Sequence, residues 1–260
     1  MARDSMDFVA SLRHAIKGPH AAIHRLNLSR IALCLPPQTY SPSLYTLGIS
    51  RYAELYYGIE EAWLSITGDP GDWICESDNI IQNLQSIQDG KRIQALLRLL
   101  YIPGLLRTKA LEADLCRLQS LSGVQTAPVE EPNLGSEMRK DVYQRSLMSP
   151  HILVAHIWIM YSAILYGGSE ICAQLRKAGP AFWGLSAAEL SSRQAPCPLS
   201  FWHFDDPATT KVQLRARVAE IECFLTPQEQ QDVLSEAKEI FRQLETLTLH
   251  LDKNANHVPE

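Results

Sequence analysis

The six cysteines, Cys34, Cys75, Cys116, Cys172, Cys197 and Cys223, form no C-x-x-C pair, and a chain of 260 residues needs no disulfide staples. They read as reduced thiols, which makes the cytosol the expected compartment. Excess positive charge is also missing. The formal net charge is -5, and the lysines and arginines are scattered, so no basic stripe exists to neutralise a nucleic-acid backbone. No G-x-G-x-x-G loop is present to hold a nicotinamide or flavin, so electrons for any redox chemistry must come from a separate protein. The N-terminus is charged through its first turns and lacks the apolar core of a secretory signal, and the last ten residues are polar. The longest apolar run, residues 152–168, falls short of the ~20 residues of a membrane span and contains His156 and Ser162. A buried core helix is the expectation for it, not a membrane span.

Alternating strand patterns are scarce as well, and what fills the chain is helical periodicity. Hydrophobic residues make up 46% and aromatics 8%, enough for a substantial core. Leu12, Ile16, His20, Ile23 and Asn27 recur at spacings of three and four, which predicts an early helix with His20 in its buried stripe. Gly18-Pro19 predicts that this helix starts or kinks near His20. A breaker-rich loop, residues 35–42, precedes a helix over 43–67, and further helices are expected over 77–101 and 105–121. Residues 122–137 read as a loop by composition, and 179–209 as a long irregular stretch. Thr226-Pro227-Gln228-Glu229 is a capping box with proline at the first helical position, followed by Val233, Ala237, Ile240, Leu244, Leu247 and Leu251 on one face. The expected architecture is one all-α, multi-helix domain over 1–260 with a disordered polar tail from about residue 253.

Within the apolar run stands an anomaly. The stretch HIWIMYSAILYGGSEI, residues 156–171, carries Gly167 and Gly168 inside a helix, each costing about 1 kcal/mol relative to alanine. Two readings stand: tight helix-on-helix contact, or bare backbone against a flat ligand. His20 leaves the same pair open, as a hydrogen-bonded core residue or as an iron ligand through a neutral imidazole nitrogen.

Taken together these segments resemble the heme oxygenase family. LRHAIKGPH, residues 12–20, is similar to its first-helix motif, and LVAHIWIMYSAILYGGSEI, residues 153–171, to its distal helix. LSFWHFDD, residues 199–206, is a third match, continued by Lys211, Arg215, Arg217 and the helix after Leu225. Residues 42–63 resemble the divergent fungal members in particular. The resemblance implies a heme oxygenase-like fold and heme as cofactor and substrate together, held between the two helices. It implies His20 as the iron ligand, Gly167 and Gly168 as the distal backbone that leaves room for porphyrin and O2, Trp158 beside the heme, and Arg13, Lys17 and Arg217 facing the propionates. It further implies cleavage to biliverdin, carbon monoxide and iron with electrons from a reductase.

The chain departs from the pattern where proton delivery is at stake. The family's aspartate, three residues before the first distal glycine, is Ile164 here, with Ala163 before it; Tyr161, Ser162 and Tyr166 are the nearby hydroxyls that could hold a substitute water. Met160 replaces a family arginine and Gln213 a propionate-facing lysine. The loss of the carboxylate weakens acid-base support, so a heme-binding protein with lost or peroxidase-like turnover is one alternative. The other is a non-heme di-iron oxidase, for which His20 and His24 share a face and Glu54, Glu60, Glu61, Asp141, His151 and His156 are available. No E-x-x-H or D-x-x-x-H spacing supports that second alternative. Cys197-Pro198 resembles a weak heme-regulatory dipeptide or is an ordinary loop cysteine.

Overall fold

In a computed structural model that describes residues 8–73, 89–122, 133–192 and 196–255, no strand occurs among the described residues and helices carry the chain. The main ones are α1 (Phe8–Leu33), α2 (Ser43–Thr67), α3 (Asp89–Leu100), α4 (Thr108–Ser122) and α5 (Leu134–Met148). After them come the broken helix α6 (Pro150–Arg176), then α7 (Ala187–Ser191), α8 (Pro207–Ile221) and α9 (Pro227–Ala255). The all-α expectation holds. The start of the helix expected over 77–101 and most of the 122–137 loop lie outside the described residues, as does the end of the polar tail. The tail's first residues, however, are the last turn of α9.

Two helix pairs frame the molecule. α2 lies against α5 so closely that a Cβ on Gly58 would sit 2.8 Å from the carbonyl oxygen of Arg139, so only glycine permits this approach. α1 lies against α9, and Arg30 clamps their ends with a two-pronged ion pair to Asp252, Nη2 to Oδ2 at 2.6 Å. The capping box predicted for α9 is present in full: Thr226 N donates to Glu229 Oε2 at 2.7 Å and Glu229 N to Thr226 Oγ1 at 3.2 Å. Behind it Val233, Ala237, Ile240, Leu244 and Leu247 are buried. The described residues of the 179–209 stretch are irregular as expected, with single turns of helix and α7 before α8 begins at Pro207.

The helix start expected near His20 is not found there. α1 runs unbroken from Phe8 to Leu33 with Pro19 inside it. Gly18 and Pro19 are exposed, so water can satisfy the carbonyl that the proline ring leaves without a donor.

By length and composition Pro150–Arg176 could cross a membrane, yet 72% of its most apolar window is packed inside the fold, the pattern of a core helix. It is held there in part by polar contacts. His156, buried, meets Glu236 of α9 at 2.9 Å, and Arg145 pairs with the other oxygen of the same carboxylate. Burial alone would raise the pKa of Glu236, but the hydrogen bond and charge of His156 and the charge of Arg145 outweigh it and hold the acid below its ordinary value of 4.5. A depressed carboxylate adds stability that is complete above 4.5 and is lost as the pH falls through the lower folded value. Glu236→Gln is therefore expected to cost about 1.5–3 kcal/mol at pH 7 and to flatten the acid limb of the stability profile. Urea unfolding from pH 7 down to pH 3 checks both; equal stability of the two proteins at pH 7 would refute the assignment.

Candidate functional site

α1, α2, α6 and α9 do not close on one another completely. Between them lies a largely apolar cavity of about 810 Å³, within the roughly 300–1,000 Å³ of small-molecule and cofactor sites. Arg13, Lys17, His20 and His24 follow one another at spacings of four, three and four, which places them on one face of α1, and all four line the cavity. The imidazole of His20 is thus on an open wall and not in the buried stripe that its spacing predicted; Leu12 and Ile23 occupy that stripe. The difference is physical. Spacing marks the side of a helix that faces the interior, and here the interior on that side is partly a hollow.

His20 stacks on His24 with ring centroids 5.9 Å apart and meets Phe241 edge-on at 6.1 Å. Neither of its ring nitrogens has a hydrogen-bond partner among the described residues. Desolvation by the cavity wall, and then the neighbouring His24, hold its pKa below the ordinary 6.5, so at neutral pH the ring is uncharged and has a lone pair to offer. That is the state an iron ligand needs.

The opposite chemistry is supplied by α6. Two stretches of it, Ile157–Tyr161 and Ala163–Gly167, are wound as π-helix, a form that recurs at functional sites. The two glycines divide the two readings between them. A Cβ on Gly167 would meet nothing within 4 Å, and Gly167 lines the cavity. A Cβ on Gly168 would lie 3.1 Å from Ile164 Cγ2 and 3.5 Å from the Trp202 ring, which is tight packing. Open cavity stands beside Gly167, and close contact beside Gly168.

Trp158, buried, lines the cavity with the Arg13 guanidinium 5.8 Å from its ring centroid. Ile164, Ala163, Met160, Ser162 and Tyr166 line it too. Tyr161 does not: it is fully buried and its hydroxyl donates to Glu60 Oε1 at 2.8 Å. Arg217 must also be moved from the site. Its guanidinium donates to the carbonyls of Leu99, at 2.9 Å, and Tyr101, tying α8 to the end of α3, and it does not line the cavity. Periodicity places Arg217 on a helix but cannot tell that uncapped carbonyls of a neighbouring helix end lie within its reach.

The wall contributed by α2, with Tyr45, Tyr52 and Tyr56, was not singled out from the sequence. Their spacings of seven and four, which put three tyrosines on one helical face, were the available signal. Tyr52 bonds to Thr248 of α9 at 2.6 Å and to Asn27 of α1 at 3.1 Å, closing the cavity on that side.

The carboxylates and histidines of a di-iron site are spent elsewhere. Glu54 and Glu61 pair with Arg139, Asp141 with Arg145, His151 with Asp232 and His156 with Glu236, while Glu60 accepts the backbone N–H groups of Arg107 and Thr108. Among the described residues no three His, Cys, Asp or Glu side chains gather as metal ligands. Cys197 is a loop thiol: its Sγ donates to the Ala113 carbonyl at 3.2 Å, and burial with the nearby Asp114 pushes its pKa up to about 11.

Comparison with solved structures agrees with this all-helical fold. Heme oxygenase-1 from the cyanobacterium Synechocystis, in complex with heme, superposes with a TM-score of 0.65 at 18% identity over 95% of this chain and 93% of that one. Heme oxygenase from Leptospira interrogans gives 0.64 at 18% identity, covering 94% and 98%. Heme oxygenase 2 from Chlamydomonas reinhardtii, without heme, gives 0.64 at 16% identity, covering 93% and 96%. At such identities these likenesses establish the fold. No curated protein sequence matches the chain. The sequence profile of the heme oxygenase family, however, matches residues 81–249, more than half of the length, and the chain belongs to the heme oxygenase family.

Proposed function

We propose that the chain binds heme in the cavity between α1 and α6 and cleaves it oxidatively to biliverdin, carbon monoxide and iron, using O2 and electrons from a separate cytosolic reductase. The observation that carries this reading is that an unpartnered, neutral His20 and the side-chain-free backbone of Gly167 line one apolar cavity from two different helices. The residues fit the group: an imidazole nitrogen for the iron, a cradle that any side chain at position 167 would fill, and aliphatic and aromatic walls for the macrocycle.

Bound heme supplies the iron that activates O2 and the ring that is oxidised. His20 would supply the imidazole nitrogen that holds the iron. Arg13 and Lys17, exposed on the same face two turns and one turn earlier, offer charge-assisted hydrogen bonds to the propionates. Gly167 keeps the α6 side open for O2. Trp158, Ile164 and Phe201 exclude bulk water from the reacting centre.

Ile164 is the weak point for turnover, since it is buried, lines the cavity and offers no proton. Ile164→Asp is expected to raise the rate of biliverdin formation by about tenfold or more, because a positioned acid-base group contributes roughly 10²–10⁴-fold. Single-turnover absorption spectroscopy with ascorbate in air reads that rate; a flat rate would show that proton delivery does not limit the reaction. The function itself is tested by titrating hemin into the protein and then adding reductant in air. Saturable binding with a Soret band that decays to biliverdin absorbance is the expected result. A stable Soret band would overturn cleavage and leave binding, and absence of saturable binding would overturn both.

A further inference from the structure

One buried polar group has no part in the cavity. Tyr161, 0% exposed, donates its hydroxyl to the Glu60 carboxylate, itself 2% exposed. The same carboxylate accepts the Arg107 N–H at 2.6 Å and the Thr108 N–H at 3.0 Å. A phenol hydrogen-bonded to a buried carboxylate can give up an electron at neutral pH, because the proton it must then lose has a base in contact.

Tyr161 is also the middle of a line of aromatic rings. Tyr56, on the cavity wall, lies 6.1 Å from Tyr161 between ring centroids. Tyr161 lies 6.2 Å from Trp63, and Trp63 lies 6.1 Å from Tyr101. Tyr56, Tyr161 and Trp63 are buried, whereas Tyr101 is half-buried, at the solvent end of the line. Each buried member has its polar hydrogen held: Tyr56 donates to the Met160 carbonyl at 3.0 Å and Trp63 Nε1 to the Leu97 carbonyl at 3.0 Å. Ordinary core packing accounts for aromatic rings in contact. It does not by itself account for four oxidisable rings in unbroken succession from cavity to surface with a carboxylate at the second.

We infer that Tyr56, Tyr161, Trp63 and Tyr101 form a relay that carries oxidising equivalents from the cavity to the protein surface, with Glu60 as the proton acceptor for Tyr161. It rests on the reading that heme occupies the cavity. The oxidant is hydrogen peroxide reduced at the bound heme, which takes two electrons and two protons and leaves two waters.

Each electron is drawn first through Tyr56 from Tyr161, whose O–H bond breaks as its proton passes to Glu60 Oε1. Trp63 then returns an electron to the Tyr161 oxygen, and the proton comes back from Glu60. Tyr101 in turn reduces Trp63 and loses its own phenolic proton to solvent. A hydrogen atom from an external reductant such as ascorbate restores Tyr101. Over two such passages one peroxide becomes two waters and one ascorbate becomes dehydroascorbate. The relay would spare the macrocycle and the cavity wall when peroxide, and not the productive reaction, consumes electrons.

The test is to load the full chain with hemin, confirm binding by the Soret band, add hydrogen peroxide without reductant in the presence of a nitrone spin trap, and map the adducts by peptide mass spectrometry. The expected result is a tyrosyl radical signal by electron paramagnetic resonance and an adduct on Tyr101. Tyr161→Phe, away from the cavity lining, should leave the Soret titration unchanged, abolish the Tyr101 adduct and hasten heme bleaching. Tyr101→Phe, at the half-exposed end, should keep the radical signal but shift it inward. Binding with an undiminished Tyr101 adduct in Tyr161→Phe, or with adducts on surface tyrosines such as Tyr40 alone, would overturn the relay and leave the heme reading intact. No hemin binding in the parent protein would overturn both.

Discussion

Replacing His20 by alanine is expected to abolish the histidine-ligated spectrum of the hemin complex and to collapse its affinity, while the fold is unchanged. The side chain makes no hydrogen bond among the described residues and meets the rings of His24 and Phe241, so on the proposed reading its removal takes away the iron ligand at little structural cost. Its neutral state at pH 7, enforced by desolvation and then by His24, also predicts a pH dependence. Because the pKa lies below 6.5, ligation should persist through neutrality and fail only as the pH falls further and a proton competes with iron for the nitrogen.

Added imidazole should restore the spectrum in His20→Ala, since truncation leaves room on the cavity wall. His24 lies one turn further on and lines the same cavity, so His24→Ala is the control. An intact spectrum in His20→Ala together with its loss in His24→Ala would move the ligand by one turn.

The second large effect separates the paired glycines. Gly167→Leu should abolish hemin binding and leave the protein at least as stable, because the new side chain enters open space and leucine improves helix propensity by about 1 kcal/mol. Gly168→Leu should do the reverse. Its first added carbon already crowds Ile164 Cγ2 at 3.1 Å and Trp202 at 3.5 Å, and overpacking of that kind costs about 1–3 kcal/mol. Thermal melts and hemin titrations of the two variants should therefore dissociate. If Gly167→Leu still bound hemin with parental affinity, the site would not lie against α6.

Much of this was legible before any coordinates. The capping box at Thr226 and Glu229 and the apolar series behind it predicted α9, because an N-cap and a hydrophobic stripe are local properties. The range of α2 was legible for the same reason. The order and spacing of the family motifs pointed to the His20 and Gly167 helices, and both line the one cavity. Misreadings arose where the answer depended on a neighbour. Pro19 was expected to mark the start of α1 or a kink in it near His20, but the helix already begins at Phe8 and runs through the exposed proline. Arg217 was expected at the propionates, but the carbonyls at the end of α3 lie within its reach. Of the three hydroxyls near Ile164, Tyr161 points to Glu60 and not into the cavity, a choice fixed by a carboxylate 101 positions away in sequence.

The sequence by itself determined an all-helical chain and its family, since composition, capping and spacing act within a few turns of chain. Only the tertiary structure decided which side of each helix meets a neighbour and which meets a hollow. It put His20 on an open wall, left Gly167 to the cavity while Gly168 packs against Trp202, and joined four aromatic rings from α2, α6 and the end of α3 into one line. Those outcomes follow from how several helices fill space together, a balance of volumes and partners that no single segment encodes.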